Sequence, residues 1–591
     1  MPVTGSALDV PILKRVFQYV NPYRKVFVLT IILTILVAFI SPIRPWLIQY
    51  TFDHYIIIPD SHGLLNMLML MVGLLLLEAL LQFYYTYLTN WLGQTVMKDL
   101  RVNLFSHINR FRLKYFDHTP IGTLVTRVIS DIETIADIFS EGLLVILGDI
   151  LKLVVIIGFM FWVDWRLTLI SLSTIPLLLF CTWLFKNAIK SAFHDVRTEV
   201  ARLNAFLQEH ITGMNVVQIF NREKEEMEKF KEINARHREA NIRSVWYYSV
   251  FLPVVEVLSA ASIGLLVWWG AEAAIKEMVT LGNLIAFILY INLLFRPIRE
   301  LADKFNTLQM GMVSSERVFR VIDTEAVIED KGQRLADNIK GDISFEHVWF
   351  AYNSSPPSGD KGGFDDWVLK DVSFSVKAGE RLALVGATGS GKSSIINLLS
   401  RFYEFNKGAI KLDGSDIREY RQSELRKTIA VVLQDVFLFS DTVANNISLN
   451  NPSVKREEII RAAKEIEADD FIRRLPGNYD YNVMERGTML SAGQRQLISF
   501  IRAYVYNPKI LILDEATSSI DTESEILIQK AMYKLMQNRT SIIIAHRLAT
   551  VQKADKIIVL AKGEIIESGT HQELLSRNGQ YKKLFELQFK N

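Results

Sequence analysis

Six long apolar runs dominate the first half of the chain: Val26–Ile43, Leu64–Leu88, Gly142–Val163, Leu167–Phe185, Val245–Trp269 and Leu281–Phe295. A hydrocarbon core of about 30 Å is crossed by roughly 20 helical residues, a length that five of the runs approach or exceed. The sixth is shorter but continues amphipathically through Leu301, Phe305, Leu308 and Met312, which predicts a longer helix leaving the membrane. Buried core helices would show similar runs, but six of them within one half of a chain point to membrane spans. Two polar stretches separate runs two and three and runs four and five. They keep helical periodicity, as in Val196–Val200–Leu203–Leu207–Ile211, and contain little Gly or Pro. Each is broken near its middle, at Thr119–Pro120–Ile121–Gly122 and at Thr212–Gly213, so antiparallel helical extensions with return turns are expected. From about Ile339 the apolar runs shorten and alternate with helical segments, the pattern of an α/β domain.

Composition narrows this picture. Half of the 591 residues are hydrophobic, which excludes a disordered chain. The single cysteine, Cys181, cannot close an intrachain disulfide and falls inside the fourth run. With 66 basic against 64 acidic side chains, the net charge of +2 gives no reason to expect a nucleic-acid partner. Distribution says more than balance. Lys14, Arg15, Arg24 and Lys25 precede the first run; Lys98, Arg101, Arg110, Arg112, Lys114 and Arg127 fill the first long stretch; and Lys186–Arg243 is a second basic stretch. The intervening loop Thr51–Gly63 carries Asp53 and Asp60 but no Lys or Arg. This alternation predicts a multi-pass membrane protein with both termini and the second half cytoplasmic. Trp46, Trp162, Trp165, Trp246, Trp268 and Trp269 sit near run ends, where an aromatic belt would place them. The first twenty residues show no cleavable signal peptide.

The second half carries a P-loop: Gly386, Ala387, Thr388, Gly389, Ser390, Gly391, Lys392 and Ser393, between the predicted strand Arg381–Val385 and a helix beginning at Ser394. Its glycines let backbone N–H groups wrap phosphates while the helix N-terminus favours negative charge. Lys392 would reach the β- and γ-phosphates of ATP, and the Ser393 hydroxyl would coordinate Mg²⁺. The run Lys509–Leu513 reads as a buried strand that ends in Asp514 and Glu515, the first placed as a magnesium ligand and the second to polarise an attacking water. The expected domains are a transmembrane domain over 1–325 with two cytoplasmic coupling regions, a linker over 326–340 and a nucleotide-binding domain over 341–591.

What lies between and after these motifs resembles the ATP-binding cassette family over nearly the whole chain. Leu490, Ser491, Ala492, Gly493 and Gln494, followed by Arg495-Gln496-Leu497, resemble the family's signature motif, though its commonest third residue is Gly rather than Ala492. The resemblance implies that this motif caps ATP held on a partner's P-loop, so that two domains act head to tail. Tyr352 in Phe350-Ala351-Tyr352 resembles the adenine-stacking ring, and Gln434 in Val431–Asp435 resembles the glutamine that contacts Mg²⁺ or the lytic water. Ser518–Asp521 resembles the loop that communicates across the dimer through Asp521, and His546, after Ile542–Ala545, the switch histidine that holds the γ-phosphate. Catalysis is thus assigned to Glu515, His546 and Gln434, with the metal at Ser393, Gln434 and Asp514. Tyr115–Gly122, with Arg127 and Asp131, is similar to the first coupling region of family exporters, and Phe220-Asn221-Arg222-Glu223 to a segment near the second. Asn353–Trp367 is a Gly/Pro/Asp-rich insertion where the family has a short turn.

Six spans ahead of one cassette resemble an exporter half-transporter, which implies a second half-transporter as partner. Glu515 and His546 fit a homodimer, the reading adopted, and equally the competent half of a heterodimer. Inside the spans, Glu78 and Glu256 are candidates for a cavity accepting amphipathic or cationic compounds. Asp149 and Lys152 stand three apart and are placed to pair on one helix face. The expected activity is ATP-driven export or flipping of amphipathic drugs or lipids by alternating access. An ATP-gated channel or a regulatory ATPase would require departures from the hydrolytic residues that this sequence does not show.

Overall fold

The computed structural model describes residues 9–326, 330, 332–352, 367–514, 522–544 and 548–589, excepting the side chains of 299–303, 305, 306, 522–524, 548, 549 and 587–589. Two units emerge, one of residues 1–109 and 121–325, the other of residues 110–120 and 326–591. The sequence boundary at 325 therefore does not account for 110–120, which group with the second unit.

Among the described residues, six helical segments of the first unit are long and apolar enough to cross a membrane: Asn21–Ile56, Ser61–Ile108, Ile121–Val163, Trp165–Thr212, Glu223–Ile275 and Leu281–Ile298. We label their principal helices α1 (Arg24–Ile40), α2 (Ser61–Ile108), α3 (Leu143–Val163), α4 (Ile175–Thr212), α5 (Glu223–Ile275) and α6 (Leu281–Ile322). The sixth run thus extends well beyond Phe295.

Along α2 the exposed face and the buried face fall in different halves. Leu68, Met69, Leu76 and Phe83 lie exposed in the first half, as side chains facing lipid would, whereas Leu92, Val96, Leu100, Leu104 and Ile108 are buried at four-residue spacing. A bundle core of α3, α4, α5 and α6 side chains includes Met160, Phe185, Phe251, Phe287 and Tyr290. Asp164 makes the short connection after α3. Its backbone is extended, with φ −157°, and its carboxylate accepts the Arg166 and Leu167 N–H groups at 2.8 and 2.9 Å, starting the next helix.

Both expected breaks are present. Thr119 is extended between the short helices Leu113–His118 and Ile121–Thr126, and Gly213 ends α4. A further break, at residues 109–112, ends α2 before the first of these helices. Arg127 and Asp131 pair with each other, and Asp131 also accepts from Ser314 Oγ at 3.2 Å. The expected pairing of Asp149 with Lys152 is replaced by Asp149 with Lys304, at 2.6 Å. The partner comes from α6, whose Lys304 presents its ammonium directly to the carboxylate from a neighbouring helix.

In the second unit, β1 (Ile343–Phe350), β2 (Leu369–Val376), β4 (Lys407–Leu412) and β5 (Ser415–Asp416) form an antiparallel sheet in the order β2-β1-β4-β5. A six-stranded sheet joins β3 (Arg381–Val385), β6 (Ile429–Val432), β7 (Ile510–Asp514), β8 (Thr540–Ile544), β9 (Lys556–Ala561) and β10 (Glu564–Gly569) in the order β10-β9-β3-β8-β7-β6. All its pairings are parallel except β9 with β10. Alternate residues of its strands enter two different cores: Ala383, Leu511 and Ile543 on one side, Leu382, Ile512 and Ile542 on the other. With both faces covered, the strands read as continuous apolar runs rather than alternating ones, as buried parallel strands do.

Candidate functional site

The C-terminal edge of the six-stranded sheet gathers the predicted chemistry, as expected for an open parallel sheet. Residues 386–391 connect β3 to the helix α7 (Lys392–Leu399). Gly389 and Gly391 take φ of +80° and +104°, which the loop requires and side-chain-bearing residues rarely adopt. Gly386 is needed for another reason: a Cβ there would lie 2.3 Å from the Leu560 carbonyl oxygen and 2.7 Å from Ser390 Oγ. Gly386→Ala should therefore destabilise the second unit by about 1–3 kcal/mol. Thermal unfolding followed by fluorescence checks this, and an unchanged midpoint would refute it.

Ala387, Thr388 and Gly389 are exposed, while Ser390 is buried, its carbonyl accepting from Gly563 N at 3.2 Å. Lys392 is only 8% exposed, and its Nζ donates to the carbonyls of Gly386 at 2.7 Å and Ala387 at 3.0 Å. Burial lowers the pKa of this ammonium from its ordinary value, and the nearby Asp514 charge opposes that shift. Ser393 is exposed on the first turn of α7, and Ser394 is buried behind it.

β6 and β7 pair with Val432 opposite Leu513, so the chain leaves both strands at one edge. Asp514 ends β7, half-buried, and Gln434 is exposed two residues beyond β6. The position of Asp514 is paired with that of Ile544, the last residue of β8, and β8 in turn pairs with β3. Glu515, Asp521 and His546 lie outside the described residues, as does most of the insertion, 353–366. Hydroxyl and amide oxygens on exposed Ser393 and Gln434, with the carboxylate of half-buried Asp514, are the donor chemistry of a magnesium site.

The Tyr352 hydroxyl hydrogen-bonds Ser394 Oγ at 3.1 Å, fixing the ring over the first turn of α7. Phe350 and Tyr403 meet its ring edge-on, with centroids 4.8 and 5.0 Å away. Reading the sequence missed Tyr403, which no spacing rule connects to Tyr352. It also missed what the short helix Leu113–His118 does within this unit. Lys114 Nζ donates to the Tyr352 carbonyl at 2.5 Å, and the Tyr403 hydroxyl donates to the Asp117 carboxylate. Part of the region similar to a coupling segment thus holds the aromatic loop beside the P-loop.

The signature-like residues form the start of another helix, α8 (Ala492–Val505). Ser491 Oγ accepts from Gln494 N at 3.2 Å, and Gln494 Oε1 accepts from Ser491 N at 2.9 Å, a reciprocal capping box. Leu490 and Gly493 are buried, while Ser491 and Ala492 are exposed, so the Ala492 methyl does not fill the interior. The candidates in the spans are not brought together. Glu78, half-buried on α2, stands 4.0 Å from Arg44, and Glu256 is exposed on α5.

Comparison with known proteins agrees with this arrangement. The family described as "ABC transporter transmembrane region" matches residues 27–298, and the one described as "ABC transporter" matches residues 369–518. The chain is 38% identical to "Uncharacterized ABC transporter ATP-binding protein YknV" of Bacillus subtilis, over 97% of this chain and 94% of that protein. It is 36% identical to "Putative multidrug export ATP-binding/permease protein YgaD" of the same organism, over 98% and 99%. To the "ATP-dependent lipid A-core flippase" of Desulfotalea psychrophila it is 34% identical, again over 98% and 99%. With helices fit to span a membrane followed by a P-loop sheet in a single chain, this protein belongs to the ATP-binding cassette transporter family, as a multi-pass membrane half-transporter of the exporter type carrying its own transport-coupled ATPase.

Proposed function

We propose that the chain works as a homodimer of half-transporters that exports or flips amphipathic drugs or lipids across a bacterial plasma or inner membrane, by alternating access. Both termini and the nucleotide-binding domain, 341–591, lie in the cytoplasm in this reading. The observation that carries it is the exposed cap of α8. Ser491 and Ala492 present a helix N-terminus, with its partial positive charge, at the surface, where a partner's bound nucleotide can meet it. Two copies arranged head to tail then complete two sites, each with one chain's P-loop and the other's signature.

Within each site the loop 386–391 wraps the phosphates, Lys392 places its charge beside them, and Tyr352 stacks on the base. Ser393, Gln434 and Asp514 would hold Mg²⁺, which would supply neutralisation of phosphate charge. Glu515, the residue after Asp514, polarises the attacking water, His546 holds the γ-phosphate side, and Asp521 relays occupancy between the chains. The expected test uses Glu515→Gln in reconstituted vesicles, where ATP hydrolysis and dye or lipid movement should fall together. Movement that persists at the wild-type rate without hydrolysis would overturn the pump reading. Purified alone, the chain should dimerise and hydrolyse ATP; failure of both would replace the homodimer with a heterodimer.

A further inference from the structure

We propose that a basic groove on α4 and α6 binds an amphiphile with an anionic headgroup, which makes the substrate class opposite in charge to the one Glu78 and Glu256 suggested. This rests on reading the chain as an exporter of amphiphiles. The groove holds about 1190 Å³, above the roughly 300–1,000 Å³ of ordinary small-molecule pockets. Lys186, Lys190, His194, Arg197 and Arg202 line it from α4, and Arg317 from α6. Among the described residues, no Asp or Glu lines it.

Two of these cations are already matched. Arg202 pairs with Glu199 at 2.7 Å, and Arg317 stands 3.7 Å from Asp131. Lys186 and Lys190 have no carboxylate partner among the described residues, and Arg197 donates only a weak bond to Met310 Sδ, at 3.5 Å. Three positive charges thus face one cavity without a carboxylate partner among the described residues.

Spacing shows what kind of anion would fit. Lys186, Lys190, Phe193 and Arg197 recur at helical intervals on one face of α4, and Lys186 to Arg197 covers about 16 Å of helix. Lys186 directly follows Phe185, the last residue of the fourth apolar run. The cations therefore begin at the depth where membrane headgroups sit, with apolar helix on one side of that level. Phe193, Tyr248, Met310 and Val313 supply apolar wall within the same groove. A soluble anion would use the charges alone; an amphiphile uses both surfaces.

Binding to the purified full-length protein in neutral detergent, with ATP hydrolysis followed in the same preparation, tests the assignment. The probes are a fluorescent-tailed phosphatidylglycerol and the phosphatidylcholine carrying the same tail. The anionic lipid should bind about tenfold more tightly, and Lys186→Gln with Lys190→Gln should erase that preference. Lys224→Gln, on α5 outside the groove, should preserve it. Equal binding of the two lipids, or an equal loss in the Lys224 variant, overturns the proposal. Competition by inorganic phosphate at lipid-like concentrations overturns its amphiphile half in favour of a soluble anion. If the double variant instead turns dimer into monomer while the preference stays, the groove seats a second copy and the proposal falls. Intact ATP hydrolysis without headgroup preference counts against this groove alone, whereas a wild-type protein that neither dimerises nor hydrolyses ATP counts against the homodimer reading.

Discussion

Lys392→Ala is expected to lower ATP hydrolysis by about 10²–10³-fold while leaving the thermal midpoint close to that of the wild type. The asymmetry follows from what the ammonium touches. Its bonds go to the Gly386 and Ala387 carbonyls, which sit on a surface loop and can turn to water when the lysine is removed. The nearby Asp514 carboxylate loses a favourable charge but is only half-buried, so the stability cost is small. The phosphates, by contrast, lose a charge that folding has placed beside them in advance, and such preorganised charge is worth far more than a mobile one. Phosphate release measured in detergent and in vesicles checks the rate, and a variant retaining more than about a tenth of wild-type activity would refute the assignment.

Mixing two inactive chains should restore hydrolysis. Ser491→Arg fills the exposed cap of α8 with a bulky cation, and a chain carrying only this change should be inactive as a homodimer. Lys392→Ala is inactive for the separate reason given above. In the proposed head-to-tail dimer each chain's P-loop would meet the other's signature, so a mixed dimer would concentrate both defects in one site and leave the other intact. Co-expression at equal levels gives one half of the dimers this composition, hence about a quarter of wild-type activity if the sites turn over independently. If P-loop and signature of the same chain acted together, every dimer would stay inactive. Steady-state hydrolysis of the co-purified mixture separates these outcomes, and no recovery would count against the head-to-tail site.

The parts that were legible in the sequence are those whose chemistry is local. The P-loop announces itself because Gly389 and Gly391 must take positive φ within one turn of chain, although the Leu560 carbonyl that Gly386 must clear comes from far along the sequence. The six apolar runs were legible because a bilayer imposes a length on each. What was missed depends on partners far along the chain. Asp149 was expected to use Lys152 but pairs with Lys304, which no pattern within one helix could reveal. The break at residues 109–112 carries neither the proline nor the glycine that marked the other two. Tyr403 joins the aromatic loop only through folding, and its bond to Asp117 closes a separation of 286 residues. Signature residues Ser491 and Gln494 were recognised as a motif, but not that they bond each other.

The place of Leu113–His118 among the second unit's contacts bears on how that unit can be made and divided. Lys114 and Asp117 are synthesised after two of the six spanning segments and before the other four, whereas their partners Tyr352 and Tyr403 come after all of them. A gene cut at 326 would yield a cassette whose Tyr352 carbonyl and Tyr403 hydroxyl had lost their binding partners. The ATPase is therefore not a detachable cartridge. One small piece of it is made between the second and third spans and waits for Tyr352 and Tyr403, so this unit can complete its fold only after all six spans have been synthesised.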